Sequence, residues 1–194
     1  MTTGAGASPD PTNPLIVQSD LTILLEVASP RAVEVRPLLA RFAELDKAPE
    51  HIHTYRVSAL SLWNAAVVGV GAEDIIATLT AYSKYPVPGS VVREIEDVIS
   101  RYGRVWLARV PDGLVLVADD ALVLDQLAKV RSVAELLDRR LDDHRFAIRE
   151  PDRGALKQAL LAAGWPAADE AGFETGASLP HVVLRADQIG RAHV

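Results

Sequence analysis

The sequence predicts an α+β fold, with an N-terminal β-hairpin, helix and strand unit, a winged-helix-like middle and a small C-terminal α+β lobe. Two observations support this prediction. Stretches with strand-like alternation and stretches with helical spacing of apolar residues follow one another along the chain. Turn-forming residues separate these stretches at short intervals. The apolar share is 49% of 194 residues, which is enough to form a core of ordinary size.

The first unit, residues 14–57, begins with a predicted hairpin. In PLIVQSDLTILLEV, two apolar runs flank the turn formers at 18–20, a pattern typical of paired antiparallel strands. The spacing of apolar residues then predicts a helix over 31–45. The segment 49–58 is rich in residues that favour strands and is predicted to be one.

The middle unit, residues 58–119, is predicted to contain three helices and then a hairpin. Ser58 is suited to cap the first helix, and the prolines of KYPVPG separate the second helix from the third. The third helix is predicted over 90–102, and the hairpin turns at 111–113. This order of elements is that of a winged helix, in which the third helix enters the major groove of DNA.

The third unit, residues 120–182, is predicted to mix helices and strands. An aspartate at the start of this unit can cap one helix, and Asp152 can cap another. Between them, RFAIRE at 145–150 predicts a strand with one apolar face. The unit therefore reads as a small α+β lobe.

The two ends of the chain differ in composition from the rest. Residues 1–13 are small, polar and rich in proline and glycine, so we expect a disordered tail there. Residues 188–194 can be reverse-translated as the start of a common sequencing adapter, with a stop codon next in frame. We therefore expect 188–194 to be a non-native artefact, and the natural sequence to continue past about Asp187.

Composition excludes several classes of function. The chain has no cysteine, which excludes disulfides and thiolate metal sites and favours a cytoplasmic location. No apolar run approaches the roughly 20 residues of a membrane span, so we expect no membrane partner. The net charge of −6 argues against a surface that binds nucleic acid everywhere, but leaves a local basic stripe open.

The sequence offers no catalytic motif. It lacks GxxxxGK[ST], GxGxxG and HExxH, so we predict no catalytic residue and no cofactor in this chain. His51 and His53 share one face of a predicted strand, but no third ligand is evident, so we predict no metal site. The apolar surroundings of Trp63, Trp106 and Trp165 predict core positions rather than platforms for base stacking.

The candidate DNA contacts are basic side chains along the third helix and the start of the hairpin. They are Lys84, Arg93, Arg101 and Arg104, and they could reach phosphates if this helix entered a groove. Three carboxylates lie among them, which leaves little net attraction for phosphate. The alternative is a wing that mediates protein or interdomain contacts, and both interpretations stay open.

Four stretches resemble the N-terminal region of bacterial XPB-type helicases, which are relatives of the xeroderma pigmentosum group B repair helicase. The stretches are PLIVQSDLTILLEV, FAELDKAPEHIHTYRVSALSLWNA, YSKYPVPGSVVREIEDVISRYGRV and ALKQALLAAGWPA. In this order and spacing they cover residues 14–173. The resemblance implies the DNA-binding or regulatory region of an ATP-dependent, superfamily 2 DNA helicase that moves 3′ to 5′ and serves DNA repair.

The resemblance also implies parts that this sequence does not contain. Two RecA-like motor domains in cis would hold ATP and magnesium, and DNA and a repair nuclease would be partners. None of the motor motifs is present, so no catalytic residue is carried over from the family. The alternative function is a non-enzymatic winged-helix module that binds another protein.

Overall fold

The computed structural model describes residues 9–172, and every structural statement below concerns this part of the chain. The predicted α+β fold is confirmed: the described residues form two four-stranded sheets and seven α-helices. The predicted artefact at 188–194 lies outside the described residues. Part of the expected N-terminal tail is described and ordered, because Asn13 is buried and its Nδ2 donates to the Ser83 carbonyl at 3.0 Å.

The first sheet is antiparallel and has the order β1-β2-β4-β3. Its strands are β1 (Leu15–Val17), β2 (Thr22–Glu26), β3 (Glu44–Lys47) and β4 (Ile52–Arg56). β1 and β2 form the predicted hairpin, and β4 is the strand predicted from composition. The buried face of β2, with Ile23 and Leu25, lies in the first hydrophobic core.

The helix predicted over residues 31–45 is wrong in its second half. Helix α1 is Ala32–Leu39, and Leu45 lies instead in β3, where it is 53% exposed. Pro37 has no backbone N–H to continue the hydrogen-bond ladder, and the helix ends two residues later. Phe42 fits the apolar spacing of a helix, but it lies in the turn after α1. Its side chain is nevertheless buried in the same core, which explains why the spacing was misleading.

The three helices predicted for the middle of the chain are confirmed. They are α2 (Ala59–Val67), α3 (Ala72–Tyr82) and α4 (Gly89–Ser100), and they share the first core with the first sheet. Ser58 caps α2 reciprocally with Ser61: each backbone N–H donates to the other's Oγ, at 3.0 and 3.1 Å. This cap fixes where α2 begins.

Trp63 on α2 occupies the core position that its apolar surroundings predict. It is 6% exposed, and its indole Nε1 donates to the Val98 carbonyl of α4 at 2.9 Å. The ring therefore contributes both apolar burial and a satisfied polar atom, which is how tryptophan is usually accommodated in a core.

The hairpin of the middle unit belongs to a second sheet with the order β7-β6-β5-β8. The remaining strands and α-helices are β5 (Val105–Val110), β6 (Gly113–Ala118), α5 (Ala121–Leu127), α6 (Arg131–Ala134), β7 (Arg145–Ile148), α7 (Arg153–Ala162) and β8 (Ala167–Asp169), and a short 3-10 helix (Glu150–Asp152) precedes α7. The sheet and α5–α7 enclose a second core. The buried residues of the first core end at Val98, and those of the second core begin at Val105.

The winged-helix interpretation is not confirmed by this arrangement. β5 and β6 are the two central strands of their sheet, paired on their outer sides with β8 and β7. A hairpin flanked in this way does not project beside α4 as a wing. Its exposed tip is short and carries Asp112, whose charge does not favour contact with phosphate.

Two details of the third unit also differ from expectation. Asp152 stands before α7 but does not cap it; its carboxylate accepts instead from Arg149 Nε at 2.6 Å. β8 was not predicted, and it pairs in parallel with β5.

Among the described residues, no single helix is long and apolar enough to cross a membrane. Helices α2 and α3 meet the length and composition of a span only when taken together, and they form a pair bent by 114°.

Candidate nucleic-acid interface

Lys84, the first predicted DNA contact, is held inside the fold by an ion pair. Its Nζ lies 2.6 Å from both carboxylate oxygens of Glu26 on β2. Its backbone N–H donates to the Leu15 carbonyl of β1 at 2.7 Å. Lys84 therefore ties the connection between α3 and α4 to the first sheet, and its charge is already matched.

Arg101 and Arg104 flank the turn after α4, and both face the ring of Trp165. The guanidinium carbons lie 5.5 Å and 5.8 Å from the ring centroid, within the range of cation–π contacts. We call Arg101, Arg104 and Trp165 the junction cluster. Because α4 belongs to the first core and Trp165 packs against the second, the junction cluster joins the two.

Carboxylates neutralise both arginines of the junction cluster. Arg101 Nη2 lies 2.6 Å from Asp97, and Arg104 lies 2.9 Å from Asp119 and 3.4 Å from Asp120. The hydrogen bond to Asp119 raises the pKa of Arg104 above its ordinary value, so the guanidinium stays charged. With their charges matched, these two side chains have little attraction left for phosphate.

Gly164 provides the space that the junction cluster needs. Its φ is +81°, and a Cβ at this position would lie 2.9 Å from Nη1 of Arg101. A residue with a side chain would therefore be strained by its backbone and would displace the arginine. The glycine that ends α7 thus also lets the chain turn closely around the end of α4.

Arg93 differs from the other three predicted contacts. Its side chain is exposed on α4, and it makes no ion pair with any described residue. The other charged residues on the outward side of α4 are Glu94, Glu96 and Asp97, all exposed. The outward face of α4 is therefore net acidic, which is unfavourable for a helix that lies in a DNA groove.

The four residues stay predicted DNA contacts. Their ion pairs rank them by how free each side chain is to bind phosphate, because Lys84, Arg101 and Arg104 are already paired with carboxylates. If α4 contacts duplex DNA, Arg93→Ala should weaken binding and lower the log–log salt slope by about 0.9, the value for one phosphate. Arg104→Ala should change both much less, because carboxylates already match its charge. Fluorescence anisotropy at several salt concentrations measures both quantities.

Arg93→Lys serves as the control for this comparison, since it keeps the charge and should keep the salt slope. An equal loss of affinity for Arg93→Ala and Arg104→Ala would show that the ion pairs of Arg104 open on DNA. That result would contradict the ranking.

Asp169 anchors β8 on α7. Its carboxylate lies 2.6 Å from Nη2 of Arg153 and 3.0 Å from Nζ of Lys157. The hydrogen bond from Arg153 lowers the pKa of Asp169 below its ordinary value of 3.8. A carboxyl whose pKa is lowered by folding stabilises the fold above its unfolded pKa, and this contribution disappears as the pH falls through the folded pKa.

Asp169→Asn is therefore expected to lower the free energy of unfolding by about 1 kcal/mol near neutral pH, the upper range for a solvent-screened ion pair. The difference from the parent should shrink as the pH falls below 3.8. Urea unfolding at several pH values measures it. Glu170→Gln, an exposed neighbour, is the control substitution, and a difference between Asp169→Asn and the parent that stays constant at all pH values would disprove the assignment.

The described residues offer no metal centre. They contain no group of three or more His, Cys, Asp or Glu side chains placed to hold an ion. His51 is exposed, and His53 is half-buried on β4 opposite Leu25. The Nδ1 atom of His53 is buried without a hydrogen-bond partner among the described residues.

A family profile described as the helicase conserved C-terminal domain matches residues 15–142. The match includes the whole first core and the central strands of the second sheet. The chain therefore belongs to the family of this helicase domain.

Curated proteins similar to the chain are named as XPB helicases. The chain is 45% identical over 168 residues to the DNA 3′-5′ helicase XPB of Mycobacterium tuberculosis, covering 86% of this chain and 31% of that protein. It is 46% identical over 164 residues to the protein of the same name from Kineococcus radiotolerans, covering 84% and 29%. The resemblance to XPB-type helicases is confirmed, and the chain spans about a third of the length of these relatives.

A more distant relative comes from Saccharomyces cerevisiae. The chain is 34% identical over 154 residues to the XPB/SSL2 helicase/translocase subunit of general transcription and DNA repair factor IIH, covering 78% of this chain and 18% of that protein. The similarity to XPB helicases therefore extends across bacteria and yeast.

Proposed function

We propose that this chain is the N-terminal DNA-binding and regulatory region of an ATP-dependent 3′–5′ DNA helicase that acts in DNA repair. One observation carries the proposal: a sequence 45% identical to a DNA 3′-5′ helicase contains no phosphate loop. Phosphoryl transfer needs a phosphate cradle, a magnesium carboxylate and a residue that positions the nucleophile. The motor then belongs to the part of the relatives that this chain does not span.

ATP and magnesium are assigned to two RecA-like motor domains in cis. The residues present do not fit either group, because the sequence has no phosphate loop and the described residues hold no candidate metal cluster. No step of ATP hydrolysis is therefore assigned to this chain. DNA and a repair nuclease are the proposed partners of the whole helicase, in the cytoplasm.

Within this proposal, the geometry favours a positioning role over sequence reading. The outward face of α4 is net acidic, and Lys84, Arg101 and Arg104 are paired with carboxylates. These features suit a rigid region that holds DNA or the motor in place through a few contacts. They do not suit a reading helix, which needs basic side chains that are free to reach phosphates and base edges.

A protein-interaction module is the second candidate, and one observation favours it. Val67 and Val68 at the end of α2 are largely exposed, at 63% and 68%. Neighbouring exposed apolar residues often mark a contact surface.

The isolated chain is expected to show no DNA-stimulated ATP hydrolysis and no unwinding, because it lacks every part of the phosphoryl-transfer site. Phosphate release with and without DNA measures the first activity, and displacement of a labelled strand measures the second. Buffer fractions from the same gel-filtration run provide the baseline. Turnover that coelutes with the chain through successive columns would refute the proposal.

A further inference from the structure

An uncharged groove lies between α2 of the first core and β8 of the second sheet. Its volume is about 200 Å³, and none of its lining side chains carries a charge. The lining includes Leu60, Asn64 and Val67 on one side and Pro166 and Ala168 on the other. Such a groove can bind an apolar segment without burying an unpaired charge.

The α2 side of this groove lacks the polar cover that an exposed helix face normally has. Leu60, Asn64 and Val67 follow one another at helical spacing on one face, and Leu60 and Val67 are 49% and 63% exposed. Helix α2 contains no charged residue. A surface helix of a soluble domain usually turns charged or polar residues outward, so this face is suited to contact another apolar surface.

The opposite side of the groove is held in place by the junction cluster. Trp165 lies against Arg101 and Arg104, and Pro166 and β8 follow it directly. β8 is in turn paired with β5 and anchored through Asp169. The groove is therefore preformed, which lowers the entropic cost of filling it.

We infer that residues 179–184 of the same chain, LPHVVL, bind in this groove. The segment is uncharged and mostly apolar, and so matches the lining. The chain leaves the described part at Gly172, shortly after Ala168 on the groove wall. Leu179 follows seven residues later, a reach of up to about 25 Å for an extended chain.

The proposed segment belongs to the same chain as the groove, and this attachment is what makes so small a groove sufficient for binding. Stable interfaces between separate proteins bury about 1,200–2,000 Å², which a groove of this size cannot supply. A short tether gives an effective concentration of about a millimolar, so a few apolar contacts are enough. This inference goes beyond the proposed function and does not depend on any helicase activity.

The absence of cysteine from the chain allows a test by introduced cysteine pairs. Asn64→Cys is combined in turn with cysteine at positions 180, 182, 183 and 184, and the dilute monomer is oxidised. A disulfide forms only where the Cα atoms approach to about 4.4–6.8 Å. We expect at least one pair to close about tenfold faster than its control, reflecting a populated contact.

The matched control replaces Asn64→Cys by Val33→Cys. Val33 is 77% exposed on α1 and does not line the groove. Monomeric disulfide is measured by the gel mobility and mass of the unreduced protein. Equal rates for the two sets, or no Asn64 pair above its control, would overturn the inference.

A charge placed in the groove distinguishes specific binding from chance collision. Val67→Asp, added to the fastest pair, should slow disulfide formation several-fold, because it buries an unpaired carboxylate against the apolar segment. Val68→Asp, an exposed neighbour outside the lining, serves as control. Equal slowing by both, or by neither, would show that the segment does not occupy the groove.

Discussion

Replacement of Trp63 by alanine is expected to lower the free energy of unfolding by about 3–5 kcal/mol, the range for removing a buried aromatic side chain. Trp63 is 6% exposed and lies between α2 and α4 in the first core. Its neighbours are held by the sheet and by two further helices, so they can only partly fill the cavity. The substitution also removes the donor that bonds to the Val98 carbonyl.

Urea unfolding followed by circular dichroism measures this loss. Trp63→Phe is the control, because it keeps an aromatic ring in the core and loses mainly the indole hydrogen bond, worth about 1 kcal/mol. It should therefore cost much less than alanine. A loss below about 1 kcal/mol for Trp63→Ala would mean that the core around the ring is loosely packed.

The elements that the sequence predicted correctly are those with local signals. The hairpin of β1 and β2 follows from apolar runs on both sides of turn formers at 18–20, and α2 follows from the Ser58 cap. The helices α2–α4 follow from apolar spacing and from glycine or proline between them. Each signal lies within a few residues of the element that it specifies, so a single sequence is enough to predict that element.

The division of the elements between two cores was not predictable in the same way. β5 pairs with β8, which begins more than fifty residues later and has the sequence Ala-Ala-Asp, with no preference for strand. Three helices and a hairpin match a winged helix in order along the chain. Only the long-range pairing with β7 and β8 shows that the hairpin belongs to the other core.

The candidate site shows the same limit. The sequence places Asp97 four residues before Arg101, but it gave no local indication that Asp119 and Asp120 pair with Arg104. Trp165 lies far along the chain from Arg101, so no local pattern connects them. One signal was available: the hairpin register places Val105 opposite Ala118, which brings Arg104 next to Asp119 just beyond the paired strands. The uncharged sequence of α2 could likewise have indicated the groove.

Removal of residues 14–172 from the complete helicase is expected to lower strand displacement about tenfold or more. In the complete helicase, this region supplies a second contact with DNA or with the motor. Two linked contacts bind much more tightly than one, so the deletion should weaken the grip on DNA during unwinding. ATP hydrolysis should change by less than about threefold, because the parts of the phosphoryl-transfer site lie elsewhere. A helicase with Arg93→Ala in place of the deletion is the matched control, and it should retain most strand displacement.

The most direct measurement of the central proposal compares the two activities on the same preparations. DNA-stimulated ATP hydrolysis and 3′–5′ strand displacement are recorded for the complete helicase and for the deletion protein, after a thermal melt has shown that both are folded. We predict that the folded deletion protein keeps ATP hydrolysis and loses strand displacement. Loss of ATP hydrolysis, or unchanged strand displacement, would contradict a positioning role for this region.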